Sequence, residues 1–221
     1  MEVINNIDRK LGDDLKETIA EGSDVSIACE RFSIYAYQSL MGQLNKINSI
    51  RFIFTSPTFI KEETLKEKRE FFIPRLSRER GIYGTEFEVK LRNELTQKAL
   101  AKRCADWIRR KAEFRSNITE RPMNNFLNVD YGDSGYSYFG IRGFTTTDLG
   151  YEKGNALSSL VNKNTFEESR MYLDHFDYLW NDKENMQNVK DEVLERISAA
   201  YAENSPNFLY HVTLYNIFRK Y

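Results

Sequence analysis

The chain has 221 residues, of which 41% are hydrophobic and 29% charged, which is enough to bury the core of one large domain. This composition excludes a disordered or collagen-like polymer. Lysine and arginine (32) nearly balance aspartate and glutamate (33), so nucleic-acid binding would require a local basic patch. Two cysteines cannot form a disulfide framework, and no run approaches about 18 apolar residues. We expect a cytoplasmic protein with no membrane partner, metal or cofactor.

The first part of the sequence predicts alternating helices and strands. Apolar residues recur with helical spacing over 7–20 and 32–47, and the apolar runs 25–29 and 50–54 are typical of buried strands. Two such strands joined by a helix favour a right-handed parallel β-α-β crossover. The pattern therefore predicts an α/β fold, with helices packed on both faces of a sheet.

The rest of the chain divides into a sheet-forming part and a helical tail. A charged excursion over 61–80 precedes the longest predicted helix, and further elements follow: a helix over 86–115, strands over 126–129, 136–140 and 156–161, and a helix over 166–180. The polar break 181–185 predicts a boundary between a domain over 1–181 and a helical connector over 182–221. The aromatic stretch 208–218 predicts the N-terminal piece of a longer protein, or a helix that docks on its own domain.

The predicted helix over 86–115 carries a local cluster of positive charge, although the chain as a whole has a net charge of −1. Its cations are Lys98, Lys102, Arg103, Arg109, Arg110, Lys111 and Arg115. Lysine and arginine on one helix face suit contact with a nucleic-acid backbone, which needs cations more than it needs a particular sequence. The alternative is the solvated face of a long amphipathic helix.

The region 122–150 carries the most distinctive local pattern. The segment 122–129, which ends in the predicted strand over 126–129, leads through a Tyr-Gly-Asp-Ser-Gly turn into a second strand, which a glycine- and threonine-rich loop follows from Gly140. This order resembles the active-site region of the phospholipase D-like (HKD) superfamily, in which a strand carries His-x-Lys and a Gly-Ser-x-Asn-type loop follows the next strand. The resemblance implies a histidine nucleophile that attacks a phosphodiester, with lysine and asparagine holding the phosphate oxygens. It also implies an α/β/α sandwich of the phospholipase D-like type.

The catalytic positions of that family are degenerate here. Asn124 stands in place of the histidine and Phe126 in place of the lysine, so no phosphoenzyme can form by the family mechanism. Arg121 and Arg142 carry the planar fork that binds phosphate in a bidentate manner, and Asn124 can donate a hydrogen bond to a phosphate oxygen. The phosphate-binding candidates are therefore Arg121, Asn124, Arg142, Lys102, Arg109 and Arg110.

A wider resemblance extends over nearly the whole chain. Four segments carry this resemblance: 86–117 leading into a strand after Pro122, the strand-to-helix junction 32–37, the segment 51–57 and the terminal segment 210–218. Together they resemble the phospholipase D-like domain at the N-terminus of bacterial superfamily-2 helicases. The resemblance implies two partners: nucleic acid, DNA foremost, and a C-terminal helicase region of the same parent chain. The sequence has no Gly-x-x-x-x-Gly-Lys-[Ser/Thr] loop, so an ATPase motor would lie outside it.

Two other functions stay open. An active phosphodiesterase or nuclease is the first, because residues 88–90 form a Glu-x-Lys of the kind that metal-dependent nucleases use, although no upstream aspartate is evident. A protein-interaction module is the second, using the terminal helix and an aromatic rim of Tyr131, Tyr136, Tyr138, Phe139 and Tyr151. Whether the chain is an enzyme and whether it forms a homodimer are left undecided.

Overall fold

A computed structural model describes residues 1–57, 95–153 and 159–199 of the chain. Within these ranges the strands are β1 Glu2–Ile4, β2 Asp24–Cys29, β3 Ser49–Phe54, β4 Ala112–Asn117, β5 Phe126–Asp130, β6 Gly135–Phe139, β7 Val161–Asn164 and β8 Met186–Asn188. The helices in the same ranges are α1 Leu11–Thr18, α2 Ile34–Leu44, α3 Leu95–Lys111, α4 Phe166–Trp180 and α5 Lys190–Ala199. None of these five helices combines the length and the hydropathy needed to cross a membrane.

The eight strands form one mixed sheet in the order β1-β7-β6-β5-β2-β3-β4-β8. The neighbours β2, β3 and β4 are parallel, with Val25 opposite Ile50 and Phe52 opposite Phe114. Every other neighbouring pair is antiparallel. The parallel β2-α2-β3 unit expected from the sequence is therefore confirmed.

Helices cover both faces of the sheet, and the larger core lies on one of them. Apolar residues of α1, α2, α3 and α5 pack there against Ile27, Phe52 and Phe114. On the opposite face, Phe176 of α4 packs in a smaller cluster with Phe126. The chain is therefore a mixed α/β protein, as predicted.

The predicted helix over 86–115 ends earlier than expected, because Ala112–Asn117 forms β4. In β4 the buried residues Ala112, Phe114 and Ser116 alternate with Glu113 and Arg115. The two charges have partners: Lys190 bonds Glu113 at 2.7 Å, and the Arg115 guanidinium lies 4.6 Å from the Trp180 ring centroid. The predicted excursion 61–80 and the Glu-x-Lys at 88–90 lie outside the described residues.

Residues 186–199, which the sequence assigned to a connector, complete the sheet domain. Strand β8 pairs with β4, placing Met186 opposite Asn117, and Val193 and Ile197 of α5 are fully buried in the main core. The polar break 181–185 is a tight turn in which the Asp182 carboxylate accepts backbone N–H groups from residues 184 and 185. A turn and an edge strand have the same polar composition as a linker, which is why the sequence pattern predicted a boundary. Residues 200–221 lie outside the described ranges.

Candidate nucleic-acid interface

The candidate site lies at one edge of the sheet, where β2, β3, β4 and β6 end and β5 begins. Ala28, Phe126 and Phe139 are cross-strand neighbours, so the loops that adjoin them leave the sheet side by side. We call this the carboxyl edge, formed by residues 29–33, 55–57, 117–125 and 140–148. Ligands of open α/β sheets commonly bind in this position, because loops from several strands converge there.

A hydrogen-bonded asparagine fixes the loop between β4 and β5. The buried Asn117 amide donates to the backbone oxygens of Thr55 at 3.1 Å and Arg121 at 3.0 Å. Its side-chain oxygen accepts from the Thr119 backbone N–H at 2.8 Å and hydroxyl at 2.7 Å. The Thr55 hydroxyl in turn donates a hydrogen bond to Asn125 Oδ1 at 2.9 Å. The end of β3 therefore holds the segment that carries Arg121.

The loops after β2 and β6 are joined by backbone hydrogen bonds. The Glu30 N–H donates to the Arg142 carbonyl at 3.2 Å, and the Phe144 N–H donates to the Arg31 carbonyl at 2.8 Å. Gly140 begins the second loop with φ of +86°, and a Cβ there would lie 2.4 Å from the Leu160 carbonyl oxygen. Only glycine fits this conformation and this close approach, so the turn that presents Arg142 depends on it.

A largely buried carboxylate stabilises the loop from within. Asp148 Oδ2 accepts the Thr145 hydroxyl at 2.6 Å and lies 3.9 Å from Arg31 Nη2. Burial raises the pKa of Asp148 above its usual value, while the Thr145 hydroxyl, Arg31 and the backbone N–H groups of Arg142 and Gly143 oppose that shift.

The structure brings three of the six predicted phosphate-binding residues to the carboxyl edge. Arg121 and Asn124 lie in the loop before β5, Arg142 lies in the loop after β6, and all three are exposed. The strands from β6 to β4 cover four inter-strand spacings, or about 19 Å. Because each strand of duplex DNA carries one phosphate per about 3.4 Å of helix axis, an edge of this width is long enough to lie along several phosphates.

Phe126, which stands where the phospholipase D-like pattern has a lysine, is a core residue. It is 1% exposed, and its ring centroid lies 6.1 Å from that of Phe139 and 6.2 Å from that of Phe176. A buried, uncharged ring cannot contact a phosphate. The side chain therefore stabilises the packing of α4 and takes no part in binding.

The three candidates on α3 lie apart from the carboxyl edge. Lys102 is exposed midway along the helix, whereas Arg109 and Arg110 are at its end, beside the first residue of β4. The six residues of β4 separate these arginines from the carboxyl edge by about 20 Å. Asp106 accepts from Arg109 Nη1 at 2.6 Å, and its backbone carbonyl accepts from Arg110 Nε at 3.1 Å. These cations belong to a separate, partly neutralised surface.

The cysteines and the described histidine are not arranged for covalent chemistry. Cys29 and Cys104 are fully buried, and burial raises the pKa of each thiol well above its usual value, so neither is a ready nucleophile. His175 is exposed on α4, with its ring centroid 6.2 Å from that of Phe126. Within 1–57, 95–153 and 159–199, no three His, Cys, Asp or Glu residues could jointly hold a metal ion.

The aromatic residues of the alternative interaction surface do not form a rim. Tyr138 is fully buried and donates to Asp14 Oδ2 at 2.7 Å. Phe139 lies on the opposite face of the sheet, its ring centroid 4.1 Å from that of Tyr172. Both rings pack inside the protein. Of the five predicted rim residues, only the half-buried Tyr131, Tyr136 and Tyr151 are left for an interaction surface.

Sequence reasoning missed Asn117 and Asp148, whose side chains hold these loops, and Arg31, which lies at the same edge. The available signal was positional: Arg31 and Asn117 lie at or just beyond the ends of parallel strands, which converge at one edge. Asp148 had no such signal, because its role depends on the folded loop. The sequence matches no protein-family model, and a search of curated proteins finds no match.

Proposed function

We propose that this chain is a degenerate phospholipase D-like accessory domain that binds and positions nucleic acid in the cytoplasm, without cleaving it, for an attached helicase motor. The observation that carries the proposal is the convergence of Arg121, Asn124 and Arg142, all exposed, at the carboxyl edge. Arginine forks and an amide donor suit the oxygens of a phosphodiester backbone.

The absence of hydrolysis follows from the residues at the family's catalytic positions. Asn124 offers no titratable nitrogen, and Phe126 is buried in the α4 cluster. Binding without covalent chemistry is what the remaining groups support. DNA is the proposed target because it is the foremost nucleic acid implied by the helicase resemblance.

Arg121→Ala and Arg142→Ala are each expected to weaken binding to a fluorescein-labelled duplex about fivefold to twentyfold at low salt. Each change removes one fork from the backbone contact and lowers the slope of log K against log salt by about 0.9. Fluorescence anisotropy over a salt series measures both quantities. Arg170→Ala, which removes an exposed arginine of α4, is the matched control and should leave affinity within twofold. Equal effects of all three substitutions would contradict an interface at the carboxyl edge.

Glu30→Gln is expected to strengthen binding about twofold to threefold at low salt. Glu30 is exposed and its backbone bonds that of Arg142, so its carboxylate repels a phosphate bound there. The same titration measures the change, and glutamine preserves the size of the side chain. Weaker binding by this variant would show that the carboxylate supports the interface instead of opposing it.

A further inference from the structure

We propose that Arg31, together with Arg142, forms a phosphate-binding pair at the carboxyl edge; this inference rests on the proposed nucleic-acid function and names one of its contacts. The pair would take a phosphodiester group through its non-bridging oxygens. No sequence motif pointed to Arg31. It lies two residues after Cys29, the last residue of β2, and the exposed Glu30 stands between them.

The first observation is an unsatisfied guanidinium. In the described part of the chain, Arg31 Nε is buried and has no hydrogen-bond partner. Arg31 Nη2 lies 3.9 Å from Asp148 Oδ2, which is beyond hydrogen-bonding distance. The Arg31 side chain is 29% exposed. A buried N–H that makes no hydrogen bond is unfavourable, so the Nε donor of this guanidinium lacks an acceptor. Because Nε is closed off from solvent, the guanidinium would have to turn for a phosphate oxygen to supply this acceptor.

The second observation is that Asp148 has a closer partner than Arg31, the Thr145 hydroxyl. Its carboxylate accepts the Thr145 hydroxyl at 2.6 Å, whereas Arg31 Nη2 lies 3.9 Å away. The loop therefore stays closed without a tight Arg31–Asp148 ion pair. The Arg31 guanidinium can therefore turn toward a ligand while the Thr145 hydroxyl still bonds Asp148.

The third observation is that the fold keeps space for Arg31 beside Arg142. A Cβ on Gly143 would lie 3.1 Å from Arg31 Cβ and 3.3 Å from Nε, so a larger residue would displace the side chain. Backbone hydrogen bonds from Glu30 to Arg142 and from Phe144 to Arg31 join the two loops, so both arginines are carried by the same joined pair of loops. A phosphate bound at Arg142 would lie against the pair of loops that also carries the Arg31 fork.

Arg31→Met tests the pair, because methionine fills the space of the aliphatic stem without the charge. Anisotropy with labelled duplex DNA over a salt series is expected to show about fivefold to twentyfold weaker binding at low salt and a slope smaller by about 0.9. Arg31→Lys should restore the slope, since it keeps the charge, but only part of the affinity, since it lacks the fork. Arg170→Met is the control for loss of an exposed arginine.

A purely structural role for Arg31 would give a different result. Such a role would lower the melting temperatures of Arg31→Met and Asp148→Asn alike. The salt slope of DNA binding by Arg31→Met would then equal that of wild type, and this outcome would overturn the proposal. If wild type binds DNA and Arg31→Met binds equally well, only the Arg31 contact is refuted. If wild type binds no nucleic acid, the proposed function and this contact both fail. Should Arg31→Met not fold, unchanged affinity of Arg31→Lys would refute the fork.

Discussion

Asp14→Ala is expected to lower the free energy of unfolding by about 3–5 kcal/mol, because it leaves a buried cation without its main partner. The Asp14 side chain is fully buried in α1, and its carboxylate lies 3.0 Å from the Lys163 ammonium of β7. It also accepts from the Arg9 guanidinium and, at 2.7 Å, from the Tyr138 hydroxyl. Lys163 is only 9% exposed, and its other carboxylate contact, with Glu2, is 4.0 Å long.

Urea unfolding followed by circular dichroism measures this change. Glu17→Ala, an exposed acidic residue of the same helix, is the control and should shift stability by less than about 0.5 kcal/mol. Replacing both charges, as in Asp14→Ala with Lys163→Met, should be less damaging than Asp14→Ala alone, because no unpaired buried charge remains. Strictly additive effects of the two substitutions would contradict a coupled buried pair.

Phe32→Ala is expected to cost about 3–5 kcal/mol of stability, the range found for removal of a buried phenylalanine ring. Phe32 is fully buried, and its ring centroid lies 5.7 Å from that of Phe52, 5.4 Å from that of Phe114 and 5.9 Å from that of Phe144. It also bridges Phe144 through the backbone. Loss of the ring therefore loosens the joined loops that present Arg142 as well as the core.

The same unfolding measurement, with DNA binding as a second readout, checks this prediction. Phe32→Leu keeps most of the apolar volume and should cost less than about 1.5 kcal/mol. Phe32→Ala should also weaken DNA binding at a temperature where the variant remains folded, because the loops lose their shared anchor. A loss of stability below about 1 kcal/mol would mean that the aromatic cluster closes around the vacated space.

Sharp periodicity made parts of this fold predictable. Strands β2 and β3 lie within one residue of the predicted runs because they are short, apolar and bounded by turns. Strand β4 was missed because Glu113 and Arg115 continue the charged pattern of α3, and their partners Lys190 and Trp180 come from distant elements. Three-residue strands such as β1 and β8 carry too few residues for a period to be recognised.

The candidate site was predictable only where chemistry is local. Arg121, Asn124 and Arg142 adjoin the strand-turn-strand pattern, and they lie at one edge because strand direction dictates it. The cations of α3 lie on one helix, but β4 follows that helix and runs to the other end of the sheet. The α3 cations and Arg121 therefore lie at opposite ends of β4. Arg31 lies next to the loop of Arg142 because Phe32 and Phe144 form a β-bridge, and no local sequence pattern reveals such a long-range bridge.

Fluorescence-anisotropy titration of the wild-type chain with single- and double-stranded DNA, over a salt series and with a gel of the same samples, tests the central claim most directly. We expect binding that weakens with salt at a slope of about −2 to −3, as two or three phosphate contacts require, and DNA that stays intact. Cleaved DNA would contradict the non-catalytic proposal and favour a nuclease. No binding to either form at low salt would contradict the nucleic-acid interface itself.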